Sequence, residues 1–173
     1  MKFIDIINQL CTGANLAVLG AGLATLVAGF GSARGVNMVA RATAGLISEE
    51  PDKYGKSMLL QALPMTQGIY GLVAGFMILV SSGLLGGDFA ALTNPASDSY
   101  ITLARGAYYL FAALPVAFGG YYSAIKQGEV ATSGISVLAK RPEAVGKAVI
   151  SASFVELYAI LALLISLMLI LMA

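Results

Sequence analysis

The sequence has few of the residues that build most catalytic and metal centres. It contains no histidine and a single cysteine, Cys11, which excludes intrachain disulfides, zinc sites of the Cys/His type and histidine acid–base chemistry. Charged residues make up 11% of the chain, against about 25% in an ordinary soluble domain. The net charge of +1 argues against nucleic acid as a partner, because binding nucleic acid requires a basic patch that neutralises phosphates.

Apolar side chains, by contrast, are abundant and make up 58% of the 173 residues. One soluble core of this size cannot bury so much apolar surface, so a lipid bilayer is the expected surrounding. Each of four apolar segments is long enough to cross about 30 Å of hydrocarbon as a helix: 14–33, 57–85, 101–125 and 148–173. The predicted fold is therefore an all-α membrane protein with four transmembrane helices. Residues 1–10 lack a clear cleavage site, so we interpret the first segment as retained.

Lysine and arginine are concentrated beside two of the three connecting loops. The loop at 86–100 contains two aspartates but no basic residue. Eight of the ten basic residues lie in or beside the other two loops: Arg34, Arg41, Lys53, Lys56, Lys126, Lys140, Arg141 and Lys147. The positive-inside rule then predicts that loops 45–56 and 139–147 are cytoplasmic and that both termini lie on the opposite side of the cell membrane.

An internal repeat divides the chain into two halves. The motif Pro-acid-x-x-Gly-Lys occurs at 51–56 and again, 91 residues later, at 142–147. We therefore predict two tandem, parallel helical hairpins, 1–85 and 101–173, joined by the connecting loop 86–100. At this offset Met65 corresponds to Glu156, so only the second hairpin carries a carboxylate in mid-helix.

Glu156 is the only ionisable acid in the fourth apolar segment. A carboxylate at membrane depth costs on the order of 3 kcal/mol on insertion scales, and such a residue normally marks an ion or proton pathway. A neutral glutamate that makes an interhelical hydrogen bond is the structural alternative. Small residues along the first and third segments, such as Gly31 and Gly35, favour close helix packing and a ring with these thin helices on its inner circle.

The second apolar segment carries a polar stripe that could serve this carboxylate. Four residues at i, i+3, i+4 and i+7 share one helix face: Leu63, Thr66, Gln67 and Tyr70. Pro64 lacks a backbone donor and disturbs the preceding turn, which makes carbonyl oxygens available to a small cation. Gln127, near the cytoplasmic end of the third segment, adds an amide. From the residues alone, the stripe is equally compatible with interhelical hydrogen bonding around a proline kink.

Together these motifs resemble those of a known family. Leu-Pro-Met-Thr-Gln-Gly-Ile-Tyr at 63–70, Lys-Gln-Gly at 126–128, Leu-Ala-Lys-Arg-Pro at 138–142 and Val-Glu-Leu-Tyr-Ala-Ile at 155–160 resemble the rotor-ring proteolipids (the K or c subunits) of bacterial V-type ATPases, above all the sodium-translocating branch. The resemblance covers essentially the whole chain. It implies a non-catalytic protein whose copies form a ring, with a stator membrane subunit and a central-stalk subunit as partners.

The resemblance also implies a Na⁺ site between the second, third and fourth helices. Its oxygen ligands would be Glu156, Thr66, Gln67, Gln127 and the backbone carbonyl of Leu63. Tyr70 would donate its hydroxyl to Glu156, next to the break at Pro64. Met65 departs from the family, which often has a small residue there. The same rotor carrying protons is an alternative that needs Glu156 alone, and a stand-alone small transporter or channel is a remote one. No Gly-x-x-x-x-Gly-Lys-Ser/Thr motif occurs, so ATP hydrolysis would belong to a separate sector.

Overall fold

A computed structural model describes residues 11–173, and the expectation for residues 1–10 lies outside this range. The described residues form six α-helices and no strand, which confirms the all-α prediction: α1 Gly13–Glu49, α2 Tyr54–Ala62, α3 Thr66–Ser81, α4 Phe89–Thr93, α5 Leu103–Lys140 and α6 Val145–Leu171. Three 3₁₀ turns lie between helices, at Pro51–Lys53, Leu63–Met65 and Pro142–Ala144. Two of these turns, Pro51–Lys53 and Pro142–Ala144, are formed by the first three residues of the repeated Pro-acid motif. The repeat predicted from sequence therefore has the same local structure in both halves.

Three of the described helical segments are both long and apolar enough to cross a membrane: Gly13–Glu49, Pro51–Ser81 and Pro142–Leu171. The fourth long helix, α5, is 38 residues in length, and its stretch 106–125 contains no charged residue. Its tyrosines and glycines make it less apolar than the other three. α5 packs along α1 and α6, which are both long and apolar enough to cross a membrane.

Two helices extend well beyond the apolar segments that predicted them. α1 continues past position 33 and α5 past position 125, each for about four further turns. The sequence places Arg34 and Arg41 in or beside the first loop, whereas both lie inside α1. Hydropathy indicates where a helix leaves lipid, whereas these helices end at Glu49 and Lys140. The capping residues that follow them, Glu50 and Arg141, each stand immediately before a proline.

α1 and α5 run parallel and touch through their backbones. Contacts occur in the same order along both helices: Gly20 meets Leu110, Gly31 meets Tyr121, and Gly35 meets Ala124. A Cβ atom added at Gly31 would lie 2.5 Å from the Tyr121 Cα atom, which is closer than real Cβ contacts. This confirms the prediction that the small residues of the two helices allow close approach.

Gly31→Ala is therefore expected to destabilise the protein, because the atoms it would meet belong to the Tyr121 backbone and cannot rotate away. Overpacking of this kind typically costs about 1–3 kcal/mol, which thermal denaturation of the detergent-purified protein measures. Gly45→Ala is the matched control, since a Cβ atom there meets nothing within 4 Å and alanine favours the helix. Equal destabilisation by both changes would contradict a tight contact between α1 and α5.

The two hairpins share an internal hydrogen bond. The Ser32 hydroxyl donates to the Pro64 carbonyl at 2.7 Å, and the Ser123 hydroxyl donates to the Val155 carbonyl at 2.9 Å. Both residues of the second pair lie 91 positions after those of the first. Each bond ties the first helix of a hairpin (α1 or α5) to the segment that returns across the membrane. The duplication therefore extends beyond motif similarity to a shared contact between helices.

Candidate ion site

The site is built around the interruption of the second membrane segment. α2 ends at Ala62 and α3 begins at Thr66, with the Leu63–Met65 3₁₀ turn between them. Proline cannot donate the helical hydrogen bond at this point, which is the physical reason for the turn. Ser32 of α1 holds the interruption in place: its hydroxyl donates to the Pro64 carbonyl and accepts the Gly68 amide hydrogen at 2.8 Å. The predicted distortion at Pro64 is therefore present.

Three oxygen atoms lie together at this turn. The Thr66 hydroxyl donates to the Leu63 carbonyl oxygen at 3.1 Å and lies 3.4 Å from the Oε1 atom of Gln67. A backbone carbonyl, a hydroxyl and an amide oxygen thus come from one helical turn. Such oxygens are the ligands that hard cations prefer.

Two fully buried glutamines join the second segment to α5. Gln67 and Gln127 each have 0% of their surface exposed. The Gln67 Nε2 group donates to Gln127 Oε1 at 2.5 Å, and Gln127 Nε2 donates to the Ala152 carbonyl of α6 at 3.2 Å. Buried amides require such partners, because an unpaired one costs about 1–3 kcal/mol. Gln127, which the sequence places near the cytoplasmic end of the third segment, therefore lies within α5 and is buried beside α6.

Glu156 completes the site from α6 and is half-buried. The Tyr70 hydroxyl donates to Glu156 Oε1 at 2.6 Å, and Gln127 Nε2 lies 3.4 Å from Oε2. The structure thus places Tyr70 and Gln127 at the Glu156 carboxylate. The other predicted residues, Leu63, Thr66 and Gln67, join this group through hydrogen bonds that lead to Gln127. The structure places the nitrogen of the Gln127 amide, not its oxygen, beside that carboxylate.

Ser123 belongs to the same network but is not among the residues predicted from sequence. Its hydroxyl lies 3.4 Å from Gln67 Nε2 and donates to the carbonyl of Val155, next to Glu156. A single serine in a membrane helix carries little signal by itself. The 91-residue repeat could have identified it, since Ser123 is the counterpart of Ser32.

Among residues 11–173, Glu156 forms no ion pair. Lys126 pairs with Glu129 at 3.0 Å on the exposed surface. Met65, the repeat counterpart of Glu156, is 52% exposed. Among residues 11–173 no group of three or more His, Cys, Asp or Glu side chains comes together. One carboxylate among neutral oxygens suits a monovalent hard cation or a proton, since a single charge is then balanced inside the membrane.

Comparison with known proteins gives matches over most of the chain. The sequence model of the family described as the C subunit of ATP synthase matches residues 19–78 and 110–169. The V-type sodium ATPase subunit K of Enterococcus hirae is 43% identical over 161 residues, which cover 93% of this chain and 94% of that protein. The A-type ATP synthase subunit K of Methanocaldococcus jannaschii is 32% identical over 154 residues, or 89% of this chain and 61% of that protein.

The two family matches follow the internal repeat. The second match is displaced from the first by the same 91 residues as the Pro-acid motif, from 19 to 110 and from 78 to 169. This confirms the two hairpin repeats and the resemblance drawn from the motifs. Because the family matches span more than half of the sequence and a relative is 43% identical along 93% of it, the chain belongs to the family of ATP synthase C subunits, the non-catalytic, membrane-embedded rotor components of rotary ATPases.

Proposed function

We propose that the chain is the rotor subunit of a V-type ATPase and carries Na⁺ across the cell membrane at Glu156. The observation behind this proposal is the contact of one half-buried carboxylate with Tyr70 and Gln127, next to a cluster of neutral oxygens. The name of the Enterococcus hirae relative, a sodium ATPase subunit, supports Na⁺ as the transported ion.

In the proposed bound state, Glu156 supplies the charge that neutralises Na⁺. Thr66 supplies a hydroxyl oxygen, Gln67 and Gln127 supply amide oxygens, and Leu63 supplies its backbone carbonyl. The Gln127 amide would have to rotate so that its oxygen replaces its nitrogen beside the ion. Gln67 would adjust with it, because the two amides are hydrogen-bonded. Tyr70 keeps the carboxylate in position through its hydroxyl.

Transport follows from placing this site on a turning ring. Each Glu156 takes up an ion from one half-channel of a stator membrane subunit and releases it into a second after rotation. In between, the neutral ion–carboxylate pair passes lipid at a lower cost than a bare charge. Because Glu156 is half-buried, its ion can exchange with a half-channel and is still shielded from lipid during rotation. ATP hydrolysis takes place in a separate soluble sector, which turns the ring through a central-stalk subunit.

The loops of the proposed rotor lie on different sides of the membrane. Loops 45–56 and 139–147 are cytoplasmic and available to the central stalk, and both termini lie on the opposite side. Within the chain, 1–85 forms the hairpin without a carboxylate, 86–100 the connecting segment, and 101–173 the hairpin with Glu156. The two family matches fall inside these hairpin limits, which supports the division.

Proton transport by the same rotor is the second candidate. A proton carrier requires Glu156 and one hydrogen-bond partner, which Tyr70 already provides. It gives no role to Thr66, Gln67 and the Leu63 carbonyl as converging oxygens. We favour Na⁺ because this surplus of oxygen atoms suits a cation and is unnecessary for a proton.

Labelling of purified rings with a hydrophobic carbodiimide separates the two ions. The reagent reacts with a protonated carboxyl group, so a bound cation at Glu156 prevents labelling. We expect Na⁺ to protect Glu156 between pH 5 and 9 and K⁺ at equal ionic strength to leave labelling unchanged. Mass spectrometry of the labelled peptide identifies the residue. Labelling that follows pH alone, with no effect of Na⁺, would establish the proton-carrying rotor instead.

A further inference from the structure

Ser123 lies beside the proposed ligands without being one of them. It is 5% exposed and stands one turn before Gln127 on the same face of α5. Its hydroxyl oxygen lies 2.9 Å from the Val155 carbonyl oxygen, and a carbonyl can only accept a hydrogen bond. The single hydroxyl hydrogen of Ser123 is therefore committed to Val155, and only the lone pairs of its oxygen remain for other partners.

These lone pairs decide which end of the Gln67 amide faces Ser123. The Nε2 atom of Gln67 lies 3.4 Å from Ser123 Oγ. An oxygen whose hydrogen is engaged elsewhere can pair with the amide nitrogen but not with the amide oxygen. The Oε1 atom of Gln67 consequently takes the other side of the amide, 3.4 Å from the Thr66 hydroxyl. This is the orientation in which Gln67 offers its oxygen to a cation.

The repeat counterpart of Ser123 uses its lone pairs differently. Ser32 also donates to a backbone carbonyl, but its oxygen accepts the Gly68 amide hydrogen at 2.8 Å. That amide can reach a serine because the membrane segment is interrupted at Leu63–Met65. α6 continues without a break through Val155, so its interior amides bond within the helix. The unbroken α6 thus leaves the oxygen of Ser123 available to a side chain.

Binding of Na⁺ changes which acceptor the Gln67 amide needs, and this step rests on the proposed function. In the structure, Gln67 Nε2 donates to Gln127 Oε1 at 2.5 Å. In the proposed bound state the Gln127 oxygen turns to the cation and no longer accepts this hydrogen bond. A buried amide nitrogen without an acceptor would weaken that state. Ser123 Oγ is the acceptor that already lies within 3.4 Å.

We propose that Ser123 is a positioning residue for the sodium site: it accepts the Gln67 amide hydrogen in the bound state and so keeps the Gln67 oxygen on the cation. Ser123 acts through Gln67 and is not itself a ligand. The change of acceptor from Gln127 to Ser123 needs no change of fold, because both side chains lie on one face of α5, one turn apart. Loss of the serine hydroxyl should therefore weaken sodium binding and leave protonation of the carboxylate, which Tyr70 contacts, unchanged.

Carbodiimide labelling of assembled rings tests this role. The sodium requirement, meaning the Na⁺ concentration that half-protects Glu156, should rise about fivefold or more in Ser123→Ala, because the bound state then contains an unpaired amide hydrogen. Labelling without Na⁺ should keep its pH dependence, since Gln127 still accepts the Gln67 hydrogen bond in that state. Ser123→Thr keeps a hydroxyl and should restore the sodium requirement. An unchanged sodium requirement in Ser123→Ala, or a shifted pH dependence, would overturn the proposal.

Ser166→Ala is the matched control. Ser166 is 0% exposed and accepts the Val116 amide hydrogen at 3.0 Å, so this change also deletes a buried hydroxyl. It lies in α6, ten residues beyond Glu156. The control should leave the sodium requirement unchanged. An equal rise in both variants would assign the effect of Ser123→Ala to helix packing and reject the positioning role.

A double-mutant cycle shows whether Ser123 acts through Gln67. Leucine has no amide for the serine to hold, so adding Ser123→Ala to Gln67→Leu should leave the sodium requirement where Gln67→Leu alone puts it. Effects that multiply would mean that the serine acts independently of this amide, against the proposal. Ser123→Cys has a similar size and only a weak acceptor. It replaces the alanine variant in both measurements if the alanine ring does not assemble.

The unmodified ring separates this inference from the proposed function. Absence of protection of Glu156 by Na⁺ in that ring means a proton carrier, and both proposals then fail. Protection in the unmodified ring, together with the same sodium requirement in Ser123→Ala, rejects the role of Ser123 alone and leaves the sodium site standing.

Discussion

Replacing Glu156 with glutamine is expected to abolish Na⁺ binding to the ring. The amide has the same shape and can keep the hydrogen bond from Tyr70, so the helices should still pack. It removes the charge that balances the cation in a low-dielectric setting, which lowers affinity on the order of a hundredfold or more. Radioactive sodium binding to purified rings measures this loss, and sodium transport by the reconstituted ATPase should fall to background.

Glu129→Gln provides the matched control for this change. Glu129 pairs with Lys126 on the exposed surface, outside the network around Glu156. Exposed pairs contribute little, about 0–1 kcal/mol, so ring assembly and Na⁺ binding should remain at the unmodified level. Equal loss of Na⁺ binding in both variants would mean that removing either acidic side chain destabilises the ring, and not that Glu156 binds the ion. Normal Na⁺ binding by the Glu156→Gln ring would contradict the site assignment outright.

Much of the site was predictable because a segment that crosses lipid has few possible backbone conformations other than a helix. Backbone groups in lipid must bond within a helix, so spacing along the sequence fixes which side chains share a face. That is why Thr66, Gln67 and Tyr70 point together as predicted. Carboxylates at membrane depth are rare, so Glu156 could be predicted as the ion-binding residue from its position in the fourth apolar segment.

Other features depend on contacts that spacing along one helix does not determine. Ser32 and Ser123 donate hydrogen bonds to backbone carbonyls of other segments. Other serines also occur in the apolar segments, so the sequence alone does not distinguish these two. The orientation of the Gln127 amide is set by Ala152 and Gln67, which belong to two different segments. The length of α1 was underestimated because hydropathy falls at Arg34 while helical packing on α5 continues.

The duplicated hairpin explains why one carboxylate serves four helices. The second hairpin keeps the serine contact of the first and supplies the acid, whereas the first supplies the polar stripe at 63–70. Neither hairpin alone contains a complete site, since Tyr70 and Glu156 come from different halves. Methionine at position 65, where the second hairpin has Glu156, therefore leaves one carboxylate per pair of hairpins.

Gln67→Leu should separate sodium binding from protonation. Gln67 is fully buried and bonded to Gln127, and within the described part of the chain it has no hydrogen bond to Glu156. The change removes one proposed cation ligand and leaves the carboxylate with Tyr70. Loss of a buried polar partner costs about 1–3 kcal/mol, so the Na⁺ concentration that half-protects Glu156 should rise roughly five- to 150-fold. Carbodiimide labelling without Na⁺ should keep its pH dependence.

Gln61→Leu is the control, because it makes the same substitution in α2, six residues before Gln67 in the same membrane segment. It should leave half-protection by Na⁺ unchanged. A ring that carries protons would respond differently, since sodium protection would then be absent before and after Gln67→Leu. A parallel shift in the pH dependence of labelling would mean that Gln67 acts on the carboxylate through Gln127. An unchanged sodium requirement in Gln67→Leu would remove this glutamine from the ligand set, and the buried amide pair would have only a structural role between the hairpins.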